Sequence, residues 1–539
     1  MNDGLKMLAL PAASLLLGAV AIPPSSLDSR LATLSAPGSP GCAAGMIEGG
    51  RLVHARGYGS ADIETGRPIT PSTPFNLASM SKQFTGAAIA LLVRDGRLSV
   101  EDDVRRYLPE LPDYGETIRI RHLLHHSSGL RNHMALAAFQ PTGPLPTHAE
   151  ALALVFRQSA PNFRPGTRHQ YESPNYVLLA EIVARVSGRG FEQFLAERIF
   201  APLGMRNTGF SSPDLARAYA VAGDGGYRLN EAVNRALGSS GLISTVEDFA
   251  IWLRALDSGA LGEDLLETMV SGTRLEDGTP ISYSYGLAVD RDHDGVAGLT
   301  RIGHGGQTAA FRSTFSYFPG RGFGLVMLCN FSGAPLGVAD AVVGEWLAAQ
   351  RPAATAQAQP PLAPLSREEA ARLAGTYHDP VADELRTFAS EGETLKLVWF
   401  GQSYPLSHLG GGRFVLEGAG SFAFRDTPAG LALLETSEDQ APVSFAKLAP
   451  AEPRPAADYA GTYASSDVDG RIAIRVEGER LVMALAGNDI ALAPVHTDGF
   501  AAFEAGFGRI AFTRDSAGRV DGLTMTTLSG ISRMRFDRI

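Results

Sequence analysis

The last third of this 539-residue chain repeats itself, and the repeat constrains the architecture more than any single motif does. Leu373-Ala374-Gly375-Thr376-Tyr377 returns as Tyr459-Ala460-Gly461-Thr462-Tyr463. Gly412-Arg413-Phe414 is answered by Gly499-Phe500, and Ala423-Phe424-Arg425-Asp426 by Ala511-Phe512-Thr513-Arg514-Asp515. Short alternating strands with glycine turns run between these marks, and the Pro450 to Pro455 stretch divides the copies. Two related antiparallel β-barrels of roughly 80–90 residues, over 366–449 and 455–539, fit this strand density. The repeat explains architecture and leaves the chemistry to the rest of the chain.

Residues 351–365 collect Pro352, Pro360, Pro361 and Pro364 among Ala and Gln, which is a linker composition. Ahead of it, residues 27–350 mix helical and strand patterns. Gly41 to Ile47 and Gly49 to Gly57 predict a hairpin, and Pro174 to Val186, Phe191 to Phe200 and Val246 to Leu256 predict helices. Phe311 to Phe318 and Gly324 to Cys329 predict adjacent strands, with a closing helix over Val338 to Leu347. The predicted class is α+β: an antiparallel sheet flanked by helices, followed by the two small barrels.

Lys6 precedes an apolar run from Met7 to Ala21 that ends in a small-x-small site, so residues 1–21 read as a secretory signal peptide. An uncleaved anchor competes, because Asp3 weakens the basic n-region. The run is short for a membrane span, which needs about 20 apolar residues. The expected location is periplasmic or secreted, with no stable span after cleavage. A formal net charge of −10 argues against nucleic acid or an anionic membrane as partner. Export would permit Cys42 and Cys329 to pair. Both lie in segments that read as buried strands, where free cysteine packs as a small hydrophobe, so free thiols are expected.

The chemistry begins at Lys82. Of 47 basic residues only four are lysines, Lys6, Lys82, Lys396 and Lys447, and Lys82 is the one lysine between residues 7 and 395. Arginine stays protonated in proteins, whereas a partly desolvated lysine can lose its proton near neutral pH. In Ser79-Met80-Ser81-Lys82 the lysine follows Ser79 by one helical turn, at the head of an apolar helix running to Arg94 and closed by Gly96. Free backbone N–H groups at a helix start favour a developing negative charge. Hydroxyl and amine can therefore meet as nucleophile and base. Ser444-Phe445-Ala446-Lys447 has the same spacing but lies in a strand-like segment, and is read as coincidence.

A serine hydrolase needs in addition a proton shuttle, oxyanion donors and an edge strand to hold substrate. Tyr171 lies between the turn Arg164-Pro165-Gly166-Thr167 and a helix start, where its hydroxyl can enter a cleft. A lone tyrosine is otherwise a half-buried core residue. His304-Gly305-Gly306 precedes a strand, and glycines there let a substrate backbone approach closely.

Taken in order, these segments resemble the penicillin-recognising serine hydrolases with the class C β-lactamase fold, over about residues 40 to 350. The segments are Phe75 to Phe84, Leu123-Leu124-His125-His126-Ser127-Ser128-Gly129-Leu130, Phe163 to Leu179, and Gly238 to Thr245 followed by Asp248. Two departures matter. The family's Tyr-x-Asn asparagine is Ser173 here, and its third motif, Lys-Thr-Gly or His-Thr-Gly, is His304-Gly305-Gly306. Gly305 removes a hydroxyl that helps hold a substrate carboxylate, which counts against lactams and D-alanyl-D-alanine peptides. Within the superfamily the D-stereospecific aminopeptidases look most similar, through a His-Gly-Gly motif, Ser81 to Thr85, and two C-terminal barrels.

The resemblance implies an acyl-enzyme route. Ser79 is the expected nucleophile, Lys82 and Tyr171 relay its proton, and His304 assists Tyr171. Ser173, Gly305, Gly306 and Gln307 contact substrate, with the backbone N–H groups of Ser79 and Gln307 holding the oxyanion. The expected activity is an aminopeptidase or amidase on D-amino-acid peptides or amides. An esterase stays open, followed by a D-alanyl-D-alanine carboxypeptidase or β-lactamase, and last a non-catalytic sensor. His122, His125, His126 and His133 suggest a metal, but no carboxylate or cysteine completes a site. No metal and no cofactor are expected, the partner is a small-molecule or peptide substrate, and a homodimer is left open.

Overall fold

The computed structural model describes residues 24–36, 38–140, 145–233, 236–293, 296–350, 362–399, 402–416, 420–437, 440–449, 451–452 and 454–539. The predicted signal peptide and most of the predicted linker lie outside the described residues. A seven-stranded antiparallel sheet organises the first part of the chain. Its strands are β1 (Cys42–Glu48), β2 (Arg51–Tyr58), β3 (Tyr283–Ser284), β4 (Leu287–Asp290), β5 (Arg301–Thr308), β6 (Phe311–Phe318) and β7 (Phe323–Cys329). They lie in the order β3-β4-β5-β6-β7-β1-β2, so the earliest strand sits beside the latest.

Every residue of β7 is buried, because both sheet faces are covered. Val326 and Leu328 face a core shared with helices α1 (Lys82–Arg94), α2 (Ser173–Ser187) and α3 (Val246–Ser258). Leu325 and Met327 face the other way, onto Val342 and Trp346 of α4 (Gly337–Gln350) and onto Leu27 and Leu31. Two-sided burial is why this strand reads as a continuous apolar run and not as an alternating one. The predicted helix Phe191 to Phe200 is continuous, but its second half, Ala196–Phe200, widens into a π-helical turn.

The expectation of free thiols is overturned. Cys42 and Cys329 form a disulfide across β1 and β7, where they stand directly opposite in register with Cα atoms 4.0 Å apart. Both cysteines are buried strand residues as read, but their pairing depends on a register between segments 287 residues apart. Local pattern carries no information about that register.

The repeat becomes two β structures. Residues 461–538 form a closed eight-stranded barrel, whereas residues 375–447 form a nine-stranded sheet curled into a nearly closed barrel. Its two edge strands, Gln402–Pro405 and Ser407–Gly410, are neighbours in sequence. The repeated tyrosines have one job in both copies. Tyr377 donates to Leu373 O at 2.7 Å and Tyr463 to Tyr459 O at 2.6 Å, each plugging its barrel with no exposed surface.

The second barrel is bolted to the sheet-and-helix part. Ala135, Leu136, Ala137, Phe139 and Leu154 join its hydrophobic core, and Arg131 meets Asp467 at 2.6 Å with both side chains about 3% exposed. Asp467 also accepts from Ser159 N and Oγ at 3.1 and 3.0 Å. The core of the first barrel draws only on residues 365–445. Its polar links include Arg168, which pairs with Asp379, and Asp383, which accepts from Arg509 and Thr526 of the second barrel.

Candidate active site

Ser79 stands in a single tight turn, Ala78–Ser81, that feeds directly into α1. Ala78, just before it, has a φ of 49°, a left-handed conformation that a non-glycine residue adopts at a cost of order 1–3 kcal/mol. The turn is held from outside. Asn76 Oδ1 accepts from Ala78 N at 2.8 Å, and Ser313 on β6 donates to Leu77 O at 2.9 Å. Gly306 on β5 lets that strand close in: a Cβ there would come to 2.3 Å from Leu77 O. Close approach at 306 brings the backbone of Gln307 beside the Ser79 turn.

Lys82 is completely buried, and its Nζ donates to Ser79 Oγ at 3.1 Å and to Ser239 O at 2.8 Å. Burial lowers its pKa to about 7, against an opposing pull from Glu172. The loop carrying Ser239 is fixed by the same helix, since Thr85 donates to Gly238 O at 2.8 Å. Ser81 Oγ accepts from Leu242 N at 3.2 Å. Lys447 has no such setting. Its strand places i and i+3 on opposite faces, and its Nζ donates to Arg372 O at 2.6 Å.

Tyr171 lies over the amine, its ring centre 4.9 Å from Lys82 Nζ, and packs against His126 with ring centres 4.3 Å apart. His126 brackets the tyrosine segment: its Nδ1 accepts from Glu172 N at 3.1 Å and Asn175 Nδ2 at 3.0 Å, and its O accepts from Gln170 N at 2.8 Å. Burial holds His126 well below the usual imidazole range, which keeps Nδ1 an acceptor. Glu172 is itself buried and held well above the usual carboxyl range by desolvation, while Asn132 donates to it at 2.7 Å. Gly530 of the second barrel backs onto this carboxyl. It has a φ of 93°, and a Cβ on it would meet Glu172 Oε1 at 1.9 Å.

His304 is half-buried on β5. Its Nδ1 donates to Gly305 O, which leaves Nε2 to accept from the Tyr283 hydroxyl at 2.9 Å. Burial first, and Lys82 second, lower its pKa to about 4, so it is neutral at pH 7. The ring packs beside those of Tyr171 and Tyr283, which supply part of that burial. Ser173 opens α2, half-buried, two residues from Tyr171. Gly305 faces open space, since a Cβ there would meet only Ser313 O at 3.9 Å. Packing therefore does not demand glycine at 305.

Ser79, Tyr171, Tyr283, His304, Gln307 and Arg312 line one cavity of about 520 Å³, together with His169, Gly305 and Gly306. No aspartate or glutamate is among its described lining residues. Tyr283, Arg312 and the Ser239 carbonyl escaped the sequence reading. Ser239 falls in a segment already singled out, but a backbone acceptor has no residue signature, and Tyr283 lies on a two-residue edge strand.

The model of the Beta-lactamase family matches residues 27–350. The chain belongs to the β-lactamase family. It is thus a serine hydrolase, with an α/β catalytic domain and two C-terminal β-barrels. A second model, a domain of unknown function (DUF3471), matches residues 446–538 of this β-lactamase-family hydrolase. A D-aminopeptidase of Cereibacter sphaeroides is 29% identical over 58% of the chain, and the match spans 61% of that protein's length. A D-aminopeptidase of Brucella ovis is 26% identical over 90% of the chain and 93% of its own. The crystal structure of D-amino acid amidase from Ochrobactrum anthropi SV3, complexed with L-phenylalanine amide, superposes with a TM-score of 0.50. It is 26% identical over 60% of this chain and 97% of its own.

Proposed function

We propose that this β-lactamase-family hydrolase cleaves D-amino-acid peptides or amides through an acyl-enzyme on Ser79. The observation that carries the chemistry is the buried amine of Lys82, 3.1 Å from Ser79 Oγ and with a pKa near 7. A base poised at the working pH maximises proton transfer. Neutral Lys82 takes the Ser79 proton as Oγ attacks the carbonyl carbon. The N–H groups of Ser79 and Gln307 hold the oxyanion. The proton passes through Tyr171, steadied by His304, to the leaving nitrogen, and the C–N bond breaks. Water, activated by the same amine, then releases the acid. The D-amino-acid substrate is supported by the names of the relatives, and a periplasmic or secreted location by the Cys42–Cys329 bond, which persists in oxidising compartments.

Hydrolysis of D-alanyl p-nitroanilide beside a Ser79→Ala control tests this reading. Turnover that disappears in the control and exceeds turnover of the L-isomer supports it. A folded protein without turnover on either isomer sinks it. A second reading, an esterase, draws on the lining without a carboxylate, which offers no anionic partner to a free α-ammonium group. Faster turnover of p-nitrophenyl acetate than of the D-amide would favour it.

A further inference from the structure

His169 stands between two cavities. On one side it lines the cavity that holds Ser79, and on the other a second cavity of about 400 Å³ between the catalytic part and the first barrel. It is 4% exposed, and neither ring nitrogen has a hydrogen-bond partner among the described residues. Both nitrogens are themselves sealed from solvent, as are those of His133, so the ring carries an unpaired polar cost that the surrounding packing absorbs. The second cavity falls within the size range of small-ligand sites, about 300–1,000 Å³.

The barrel side of that cavity offers main chain. The strand Gln440–Lys447 pairs along one edge with Gly430–Ser437, but along the other it meets Gly375–Asp379 only at Lys447 and Ala446. There the strands part, and the Asp379 carboxylate turns out to take Arg168. Pro442 to Phe445 thereby leave a strand edge along the cavity wall, with Ser444 exposed and projecting away from the barrel core. Open strand edges recognise extended peptide by main-chain hydrogen bonds.

We infer that the second cavity is a subsite for the leaving-group portion of a peptide substrate, with His169 as the contact that joins it to the scissile bond. The direction follows from Tyr171. Tyr171 donates the proton to the leaving nitrogen in the reading above, and an aminopeptidase keeps one residue on the acyl side of the scissile bond, so the further residues of a peptide lie on the leaving side. The inference rests on the acyl-enzyme reading above and narrows its substrate to peptides of several residues, in preference to simple amides.

The test compares D-alaninamide with tetra-D-alanine on the full chain. The expected kcat/KM is at least tenfold higher for the peptide, and Ser444→Trp, which fills the cavity from its exposed wall, lowers the peptide-to-amide ratio at least fivefold. His169→Gln, on the opposite wall, lowers the same ratio. Equal kcat/KM for the two substrates, or a ratio untouched by both variants, overturns the subsite. Inhibition of p-nitrophenyl acetate turnover by tri-D-alanine reads the cavity even if no D-alanyl compound is hydrolysed. Inhibition weakened at least fivefold in Ser444→Trp supports the subsite; no inhibition of the wild-type chain, or equal inhibition of both, overturns it. Loss of D-alanyl turnover with inhibition retained would instead mark failure of the D-amino-acid reading alone.

Discussion

The two barrels carry one sequence repeat and one tyrosine plug, yet they meet the catalytic part in opposite ways. The second shares its core with residues 135–154 and sends Gly530 against Glu172, beside Tyr171 and near Lys82. The first keeps a separate core, touches through Arg168 and Asp379, and leaves a cavity. Duplication supplied two copies of a fold, and the interfaces were then set by surface residues on which the repeat has no hold. One copy braces the site; the other walls it.

The comparison breaks first at Arg131. Arg131→Ala leaves Asp467 with the Ser159 donors but no opposite charge in a nearly sealed interface, and such a loss destabilises by about 3–5 kcal/mol. Denaturant unfolding of the full chain should show a correspondingly lower midpoint. Next is Asp383, which joins barrel to barrel. Burial opposes its ionisation, but His378, Arg509 and Thr526 outweigh that and bring its pKa to about 2. Its folded pKa is depressed, so its stabilisation is complete above the unfolded value near 4 and fades as pH falls toward 2. The expected loss across that window is about 2 kcal/mol, absent in Asp383→Asn. Arg168→Ala should cost less, about 1–2 kcal/mol, because the Arg168 side chain reaches solvent more than that of Arg131, which also donates to Gln158 Oε1 and Ser532 O. A loss matching that of Arg131→Ala would erase the contrast between the barrels.

The smallest effect sharpens it. Lys82 must be neutral to accept a proton, so kcat/KM should rise with pH through about 7 and level off above. An ionised Glu172 pulls the amine's pKa upward, but burial holds its carboxyl well above the usual range, so Glu172→Gln should move this limb only slightly, toward lower pH. Arg168→Ala, on the first barrel's contact, should leave the limb in place. A pH–rate profile of a p-nitrophenyl ester for the three proteins decides it.

Much of the site was legible because its geometry is local. Ser79 and Lys82 are joined by one helical turn, and Tyr171 and His304 sit beside turns and glycines that constrain them. Hydrophobic patterns likewise placed β1, β2, β6 and β7 and helices α2, α3 and α4. What stayed hidden depends on relations across the chain. The disulfide needed the β1–β7 register, the Ser239 acceptor is a carbonyl any residue carries, and the desolvation that neutralises His304 arises only when three segments meet. His169 looked like any histidine after an arginine, since idle nitrogens are visible only in a packed interior.

The place of β1 in the sheet has a consequence for synthesis. The earliest strand of the sheet is an inner strand, between β2 and the sheet's last strand in sequence, β7. As the chain emerges, Cys42–Glu48 can form its hairpin with β2 but must wait nearly 300 residues for its second neighbour. Contacts so distant in sequence slow folding. A growing chain would thus carry an exposed apolar strand edge through most of its synthesis. Helpers that shield such edges would matter more to its yield than the stability of the finished enzyme.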